Sequence, residues 1–540
     1  MRRPNPKTRR AGKVTQKKKH GPDPWLQSHL NSIALLVISA GFVIRVITAA
    51  AGYLNPDEAL HYLLANQPSV ALAYQASLTN AHPPFFFLLL YFLRFIGTSE
   101  FILRLPSVLA GTLLLWVTYK WLESAFNKTA ALVGLLVLTF SPAIISVSTE
   151  VRGYGVLLLC MASALYFLER AFKQKSLRAM LLFSVALYLA ILTHYSALWF
   201  TLAAAAYTLI LIWDRRLPGR LVKVWAASQA GVVSLYVFLY LTHISKLRGS
   251  GMEQEAVGGW LHSSYFDPVK DNLFAFVFNG TVAFFHYICG NRIVGIAMLL
   301  SFVAGVVVLF TRDVRGENRW DRLGHLAILL LPFLLSWCAA LARMYPYGGT
   351  RHSIFLILFA IAGASFGLTK LIERQPWPGL FAVGFAMAVC NLYPTPPAQP
   401  VYAEHQSRTL MSQAVNHIHQ SIPAGKLVFV DYQTSVLLGY YLGKNQITRF
   451  DQPQKEFWEF PYGGYRVVST RDWLFTVESF EVALKRLRNV YDLPPGEMVW
   501  IISAGWGVNL YTRLSRRFPE SHFPGTMFGS NLAVFQVPTV

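Results

Sequence analysis

Long apolar segments recur along this chain, and they constrain its fold more than any other feature. Runs of roughly 18 to 22 residues, among them 32–51, 222–243 and 352–369, are long enough to cross a bilayer as helices. Only 14% of the residues are charged, whereas a soluble domain has about 25%. The pattern predicts an all-α polytopic membrane protein.

The excess positive charge is concentrated at the N-terminus. The net charge is +21, and the first 19 residues contain no acid but many basic side chains: Arg2, Arg3, Lys7, Arg9, Arg10, Lys13, Lys17, Lys18 and Lys19. A basic tail before an apolar helix is typical of a cytoplasmic anchor beside anionic lipid. We therefore expect membrane lipid, and no nucleic acid, as a partner.

Basic residues between the apolar runs set the orientation, because Lys and Arg favour the cytoplasmic side. The clusters lie at 120–128, 173–178, 215–223, 312–322 and Arg374. Placing them with the N-terminus predicts about eleven spans in the cytoplasmic (inner) membrane and an external C-terminus. The spans are 32–51, 104–121, 129–148, 154–172, 179–193, 196–213, 222–243, 294–312, 323–343, 351–370 and 379–394. The apolar segments 85–95 and 274–288 are short, and we predict interfacial or re-entrant helices on the outer face.

Three regions follow from this pattern. We expect a basic cytoplasmic tail at 1–30, a transmembrane catalytic domain at 31–394 and an extracytoplasmic α/β domain at 395–540. The last region begins with a stiff, proline-rich connector. It alternates predicted strands (426–430, 498–503, 532–537) with predicted helices (435–442, 480–488, 507–516).

This orientation gathers polar residues from distant segments at one membrane face. They are Asp57, Glu58, His82, Glu150, Arg152, Tyr154, His194, Tyr195, Tyr345, Tyr347 and Arg351. Side chains that are separated in sequence but share one depth suggest a single site.

The acid pair Asp57-Glu58 is the strongest candidate for catalysis. It follows the first span, where carboxylates gain nothing from the bilayer. Adjacent carboxylates can act as general base and partner. The alternative is an exposed polar cap on the loop.

The other candidates point to substrate binding, each with a plainer alternative. His82, before Pro83-Pro84, could contact a phosphate or a sugar hydroxyl, or simply form a turn. Arg152 suits a phosphate because it offers paired donors, although Glu150 and Arg152 could form a loop salt bridge. His194-Tyr195 and Tyr154 share the same face.

The segment from Tyr345 to His352 opens a late span. Gly348 and Gly349 allow close backbone approach, and Arg351 then sits at a helix start, which predicts an anion site. The alternative is an aromatic interface belt with a snorkelling Arg351.

The order of these motifs resembles the GT-C superfamily of membrane glycosyltransferases. The residues are Asp57-Glu58, then His82-Pro83-Pro84-Phe85, then 97–101 and 104–107, then Glu150-Val151-Arg152-Gly153-Tyr154, then 348–352. They are similar to the glycosyltransferase family 39 branch, which includes protein O-mannosyltransferases and lipid A aminoarabinose transferases. The similarity is clearest over 40–200 and 345–365, and weak in the C-terminal region.

This resemblance implies a GT-C fold and an inverting transfer. A sugar would pass from a polyprenyl-phosphate donor to a hydroxyl of a glycan, lipid or protein acceptor at the outer face. Asp57 would be the general base, and Arg152 and Arg351, with His82, would neutralise the leaving phosphate. The aminoarabinose transferases carry Glu-Lys where this chain has Ala81-His82, so a metal role there does not transfer. A divalent metal cofactor is left open.

The rival function is a transporter or flippase of lipid-linked glycans. Transporters have inverted repeats or helices broken at mid-membrane. The sequence has no internal repeat that we detect, and its polar residues gather at one face.

Overall fold

The computed structural model describes residues 24–214, 217–247, 258–259, 261–311, 319–373, 375–396, 407–443, 456–507 and 509–539. The basic tail up to residue 23, most of the basic cluster 312–322, Arg374, Pro397 and Pro400 lie outside these ranges.

The N-terminal two thirds of the chain form a helical bundle. Its long helices are α1 (Pro24–Ala51), α5 (Glu100–Ala125), α6 (Lys128–Phe140), α8 (Tyr154–Gln174), α9 (Leu177–Thr193), α10 (Ala197–Asp214), α11 (Gly219–Leu239), α12 (Leu273–Cys289), α13 (Arg292–Thr311), α14 (Arg319–Leu341), α15 (Ile357–Ile372) and α16 (Pro376–Leu392). Short helices complete it: α2 (Pro56–Ala65), α3 (Val70–Ser77), α4 (Phe85–Leu93) and α7 (Pro142–Val147).

Seven helices in the described ranges are long and apolar enough to cross a membrane: His29–Ala51, Glu100–Ala125, Tyr154–Gln174, Gly219–Leu247, Arg292–Thr311, Trp320–Leu341 and Arg351–Ile372. Five further apolar helices are shorter. Each of the eleven predicted spans coincides with helical structure, but 129–148 is divided into α6 and α7, and 351–370 begins with a 3-10 helix (Arg351–Leu356) before α15. The division falls where Pro142 lacks an N–H and the Ser141 hydroxyl caps α7.

The outer surface of the bundle suits lipid. Large apolar side chains such as Leu36, Ile47, Val233 and Phe310 are more than half exposed, which water would penalise and lipid tails do not.

Inside the bundle, small residues let the backbones of neighbouring helices approach each other. A Cβ added at Gly305 of α13 would lie 2.2 Å from the carbonyl oxygen of Gly363 in α15, the close packing typical of membrane helices.

The segments predicted as interfacial are helical. The segment 85–95 forms α4, and 274–288 forms most of α12. Residues on either side of α12 accept main-chain hydrogen bonds from other segments. Tyr347 N–H donates to Ser264 O at 2.9 Å, and Thr395 N–H donates to Gly290 O at 2.8 Å. Tyr347 precedes α15 and Thr395 follows the antiparallel α16. The chain on either side of α12 is therefore attached to the segments that precede α15 and follow α16.

One charge is buried inside the first span. Arg45 of α1 is fully buried and donates to the carbonyl oxygens of Gly41 at 3.0 Å and Leu138 at 3.5 Å. Its partners are backbone groups, so it does not snorkel to the surface.

The C-terminal region is a small α/β domain. Its helices are α17 (Arg408–Ser421), α18 (Tyr432–Tyr441), α19 (Val477–Val490) and α20 (Leu510–Arg517). Its strands are β1 (Leu427–Val430), β2 (Trp458–Phe460), β3 (Arg466–Ser469), β4 (Met498–Ser503), β5 (Gly525–Met527) and β6 (Ala533–Pro538). The sheet order is β2-β3-β1-β4-β6-β5, with β3, β1 and β4 parallel and the other pairs antiparallel.

The predicted strands and helices of this domain are confirmed, whereas α17, β2, β3 and β5 were missed. The missed strands have only three or four residues, and β5 is exposed throughout. Such short segments carry little hydrophobic periodicity.

The α/β domain packs directly on α2. Buried Leu63 and Leu64 of α2 share a core with Val436 and Leu437 of α18, and burying each such side chain contributes about 1.5–3 kcal/mol. Leu54 N–H also donates to the Tyr441 hydroxyl at 2.8 Å. Helix α2 is thus held between the bundle and the α/β domain.

Candidate active site

The site begins at the first turn of α2. Glu58 N–H donates to Asn55 Oδ1 at 2.9 Å, and Asn55 N–H donates to Glu58 Oε2 at 2.9 Å, which is a capping box. Pro56 occupies the first helical turn, where its missing N–H costs nothing. This start places Asp57 and Glu58 on different sides of the helix.

Glu58 is fully buried, and its carboxylate is engaged on both oxygens. Arg104 Nε donates to Oε1 at 2.8 Å and Arg104 Nη2 donates to Oε2 at 2.7 Å, while Val151 N–H donates to Oε1 at 2.8 Å. Arg104 also donates to the carbonyl oxygens of Ala49, Gly52 and Tyr53. Glu58 therefore fastens α2 to α5 and to the loop before α8.

Asp57 lies against two guanidinium groups. Its Oδ2 is 2.5 Å from Arg351 Nη2 and 3.1 Å from Arg152 Nη1, and its side chain is 16% exposed. Burial alone would raise the pKa of this carboxyl, but Arg152 and Arg351 outweigh burial and lower the pKa well below its usual value. Asp57 is thus ionised, partly accessible to solvent and paired with two cations.

Three imidazole rings stand next to this cluster. His61 Nδ1 donates to Asp57 O at 2.7 Å. The ring of His82 lies 5.5 Å from that of His61 and 5.0 Å from that of His194. Burial, followed by the nearby Arg152 charge, lowers the pKa of His61 and of His194 to about 3. The same two causes lower the pKa of His82 well below its usual value, so all three rings are neutral near pH 7.

Several polar atoms around Asp57 are buried without a hydrogen-bond partner. They are Glu150 Oε2, Arg152 Nε, the Tyr154 hydroxyl and Thr350 Oγ1. Burial raises the pKa of the Glu150 carboxyl, although Arg351 and Arg152 oppose it. Unpaired buried polar groups are costly in a resting protein. A polar ligand that entered this cluster could satisfy these four atoms.

No group of three His, Cys, Asp or Glu side chains that could hold a metal ion occurs within the described ranges.

The sequence candidates divide into two sets. Asp57, His82, Glu150, Arg152, Tyr154, His194 and Arg351 come together in one cluster. The hydroxyl of Tyr347 is bonded to Thr281 of α12 at 2.7 Å, and that of Tyr195 to His243 Nδ1 at 2.5 Å. Tyr347 and Tyr195 therefore bond to residues outside the cluster and do not contact Asp57 directly.

The structure bears on two of the predictions. Glu58 was predicted to be catalytic with Asp57, and its fully buried pairing with Arg104 favours an anchoring role. His82 was predicted to contact a phosphate or a sugar hydroxyl, and its lowered pKa favours the hydroxyl.

Two site residues were missed by the sequence analysis. His61 lies one turn after Asp57, so the four-residue spacing on a short helix was an available signal. Arg104 lies near the start of a span, where an arginine needs a buried partner.

Comparisons with known proteins bear on the fold and the class. Residues 81–243 match the family model described as dolichyl-phosphate-mannose-protein mannosyltransferase. The structure is similar to ArnT from Cupriavidus metallidurans in the apo state, with TM-score 0.53 and 14% identity, covering 94% of this chain and 98% of that chain. It is also similar to ArnT from the same organism bound to undecaprenyl phosphate, with TM-score 0.53, 13% identity and the same coverage. No curated protein sequence matches the chain.

The fold is that of GT-C membrane glycosyltransferases, and this fold together with the partial family match supports a multi-pass membrane glycosyltransferase. Within it, the segment that carries His82, Glu150, Arg152, Tyr154 and His194 is the one similar to the dolichyl-phosphate-mannose-protein mannosyltransferases.

Proposed function

We propose that this enzyme transfers a sugar from a polyprenyl-phosphate donor to an acceptor hydroxyl at the outer face of the membrane, with inversion at the anomeric carbon. The observation that carries the proposal is the ionised Asp57 carboxylate between Arg152 and Arg351. One ionised oxygen base and two phosphate-binding groups within one cluster are what this reaction needs.

Arg152 and Arg351 would bind the donor phosphate. A guanidinium has five N–H donors in a planar fork. Arg152 uses Nη1 for Asp57 and has an unpartnered Nε. One edge can therefore hold Asp57 while another binds phosphate, and both cations oppose the charge that develops on the leaving group.

Asp57 would act as general base. Its lowered pKa keeps the carboxylate ionised at every physiological pH. Phosphate binding draws the two arginines toward a second anion, which weakens their hold on the carboxylate and raises its basicity. Asp57 then takes the proton of the acceptor hydroxyl as the hydroxyl oxygen attacks the anomeric carbon and the bond to phosphate breaks.

The remaining polar groups would hold the sugar. The Tyr154 hydroxyl, Glu150 Oε2 and Thr350 Oγ1 lack partners, so sugar hydroxyls could satisfy them. The acceptor is a glycan, a lipid or a protein, and its hydroxyl must enter beside Asp57 under the α/β domain.

We infer that the site faces outward from the cytoplasmic membrane. The proposed orientation puts the N-terminus in the cytoplasm and the α/β domain outside, because the basic clusters then share the cytoplasmic side. The rival transport function has no support in the fold or in the family match.

The test is the Asp57→Asn variant, which is nearly isosteric but removes the base. Transfer from a polyprenyl-phosphate sugar should fall by about 10²–10⁴ in rate, with normal expression and membrane insertion. Asp271→Asn, which alters an exposed acid before α12, should retain full activity. Full turnover by purified Asp57→Asn protein would reject Asp57 as the base.

A further inference from the structure

We propose that Asn80, His243 and Tyr195 form a positioning relay that holds the His82 imidazole with its Nε2 lone pair ready to accept a hydrogen bond from a substrate hydroxyl. This inference rests on the proposed function, which supplies the substrate, but the relay itself can be tested without turnover.

The relay is a chain of three short hydrogen bonds. The Tyr195 hydroxyl lies 2.5 Å from His243 Nδ1, His243 Nε2 lies 2.8 Å from the main-chain oxygen of Asn80, and Asn80 Oδ1 lies 2.8 Å from His82 Nδ1. His243 is fully buried and Asn80 is 6% exposed. Water cannot readily replace these bonds, so the geometry is fixed.

The direction of each bond follows from the donors and acceptors present. A main-chain oxygen only accepts, so His243 Nε2 carries the proton and its Nδ1 accepts from Tyr195. The amide oxygen of Asn80 likewise only accepts, so His82 donates through Nδ1. A neutral imidazole has one N–H, and Nε2 of His82 is therefore left with a lone pair.

A local irregularity in α11 brings His243 to this place. The helix continues through a π-helical turn at Tyr240–Ile244 before a last short α-turn at Ser245–Leu247. Such turns occur often at functional sites, because the wider turn re-aims a side chain. Here it directs His243 from a long apolar helix to the loop between α3 and α4.

His82 is oriented toward the cluster that holds Asp57. Its ring lies 6.1 Å from that of Tyr154 in addition to its contacts with His61 and His194. The charged and titratable groups around it are Arg152 before α8, His194 after α9, His61 on α2, His352 before α15 and His243 on α11.

The lone pair selects the ligand chemistry. A phosphate oxygen has no proton to give and would be repelled by Nε2, whereas a hydroxyl can donate to it. The partner is a hydroxyl of the donor sugar or of the acceptor. Without Asn80, the imidazole could take the other tautomer and present N–H instead.

The first experiment replaces Asn80 by Asp and measures transfer as a function of pH. A carboxylate at Nδ1 keeps the hydrogen bond but favours the imidazolium, which has no lone pair. We expect Asn80→Asp to approach wild-type activity at high pH and to lose activity as the pH falls through the raised pKa of His82. The wild type should lack this acidic limb, and so should the double variant Asn80→Asp with His82→Asn. A uniform loss at every pH would overturn the relay.

A milder variant covers the case in which Asn80→Asp does not fold. Tyr195→Phe removes only the hydroxyl that starts the chain, and kcat/KM should fall about 2- to 10-fold. The matched control is Tyr188→Phe, which removes a hydroxyl bonded to Ser228 O of the same helix α11 at 3.0 Å. Equal effects of the two substitutions would overturn the relay.

The same kinetics identify the substrate hydroxyl from which His82 accepts a hydrogen bond. A change in donor KM assigns that hydroxyl to the sugar, and a change in acceptor KM assigns it to the acceptor.

The tautomer can also be observed directly. In ¹⁵N-histidine-labelled wild-type protein, the signal that disappears in His82→Asn should have the shift of a neutral ring protonated at Nδ1. Protonation at Nε2 would overturn the relay whether or not the enzyme turns over. If the wild type transfers no sugar from any polyprenyl-phosphate donor, the proposed function fails and this measurement still decides the relay.

Discussion

Asp57 and Glu58 are adjacent residues with opposite environments. Glu58 is fully buried and bonded on both oxygens, whereas Asp57 is partly exposed and faces two arginines. The two neighbouring carboxylates therefore suit different roles: Glu58 fixes the helix, and Asp57 is the proposed general base.

This difference predicts different effects on stability. Glu58→Gln leaves the buried Arg104 charge unpaired and should lower the free energy of unfolding by about 3–5 kcal/mol. The control is Glu373→Gln, which removes a surface pair with Lys370 and should cost about 0–1 kcal/mol. Thermal unfolding in detergent measures both, and a Glu58→Gln protein as stable as the control would contradict the structural role.

Substitutions of Arg351 show whether this residue binds an anion or anchors the chain at the membrane interface. In Arg351→Ala, losing hydrogen bonds to a charged phosphate, worth about 1.5–3 kcal/mol each, should raise the donor KM about 10- to 150-fold. The acceptor KM should change little. Arg351→Lys should recover part of the loss, because an ammonium lacks the paired donors. Full recovery by lysine would favour the anchor, and Arg466→Ala, at a surface pair with Glu459, should match the wild type.

At the scale of elements, the loop before α15 is placed by its contact with α12. A Cβ added at Gly349 would lie 2.6 Å from the main-chain oxygen of Ala283, so only glycine allows this approach. Gly349→Ala should displace Arg351, two residues later, and lower kcat/KM for the donor by up to about a hundredfold. At Gly384 the added methyl would meet Leu136 at an ordinary 3.4 Å, and Gly384→Ala should be neutral. Equal donor kinetics in the two variants would contradict the placement.

Elements with a strong sequence signal were predictable, and those set by tertiary contact were not. The lengths of the apolar runs predicted the long helices, and the placement of Lys and Arg predicted that the residues around Asp57 would lie together. The partner of Glu58 and the residue that supports Asn80 were not predictable, because Arg104 lies 46 positions from Glu58 and His243 lies 163 positions from Asn80. The π-helical turn at Tyr240–Ile244 has no recognisable sequence pattern, and β5 is exposed and short.

At the scale of the whole molecule, the α/β domain covers α2, the helix that carries Asp57. Tyr440 of α18 donates its hydroxyl proton to Thr98 O at 2.8 Å, and Arg408 of α17 lies 3.4 Å from Glu100 at the start of α5. The domain therefore contacts both helices that hold the Glu58–Arg104 pair.

The membrane topology can be tested with reporter fusions. If α12 does not cross the membrane, the chain crosses eleven times and the α/β domain lies outside. Reporters active only outside the cytoplasm should give signal when fused after Val540, at Asp267 before α12 and at Asn291 after it. A fusion after Asp214, at the end of α10, should give none. Opposite signals from the Asp267 and Asn291 fusions would mean that α12 is a full span, and the α/β domain and every later loop would then change sides.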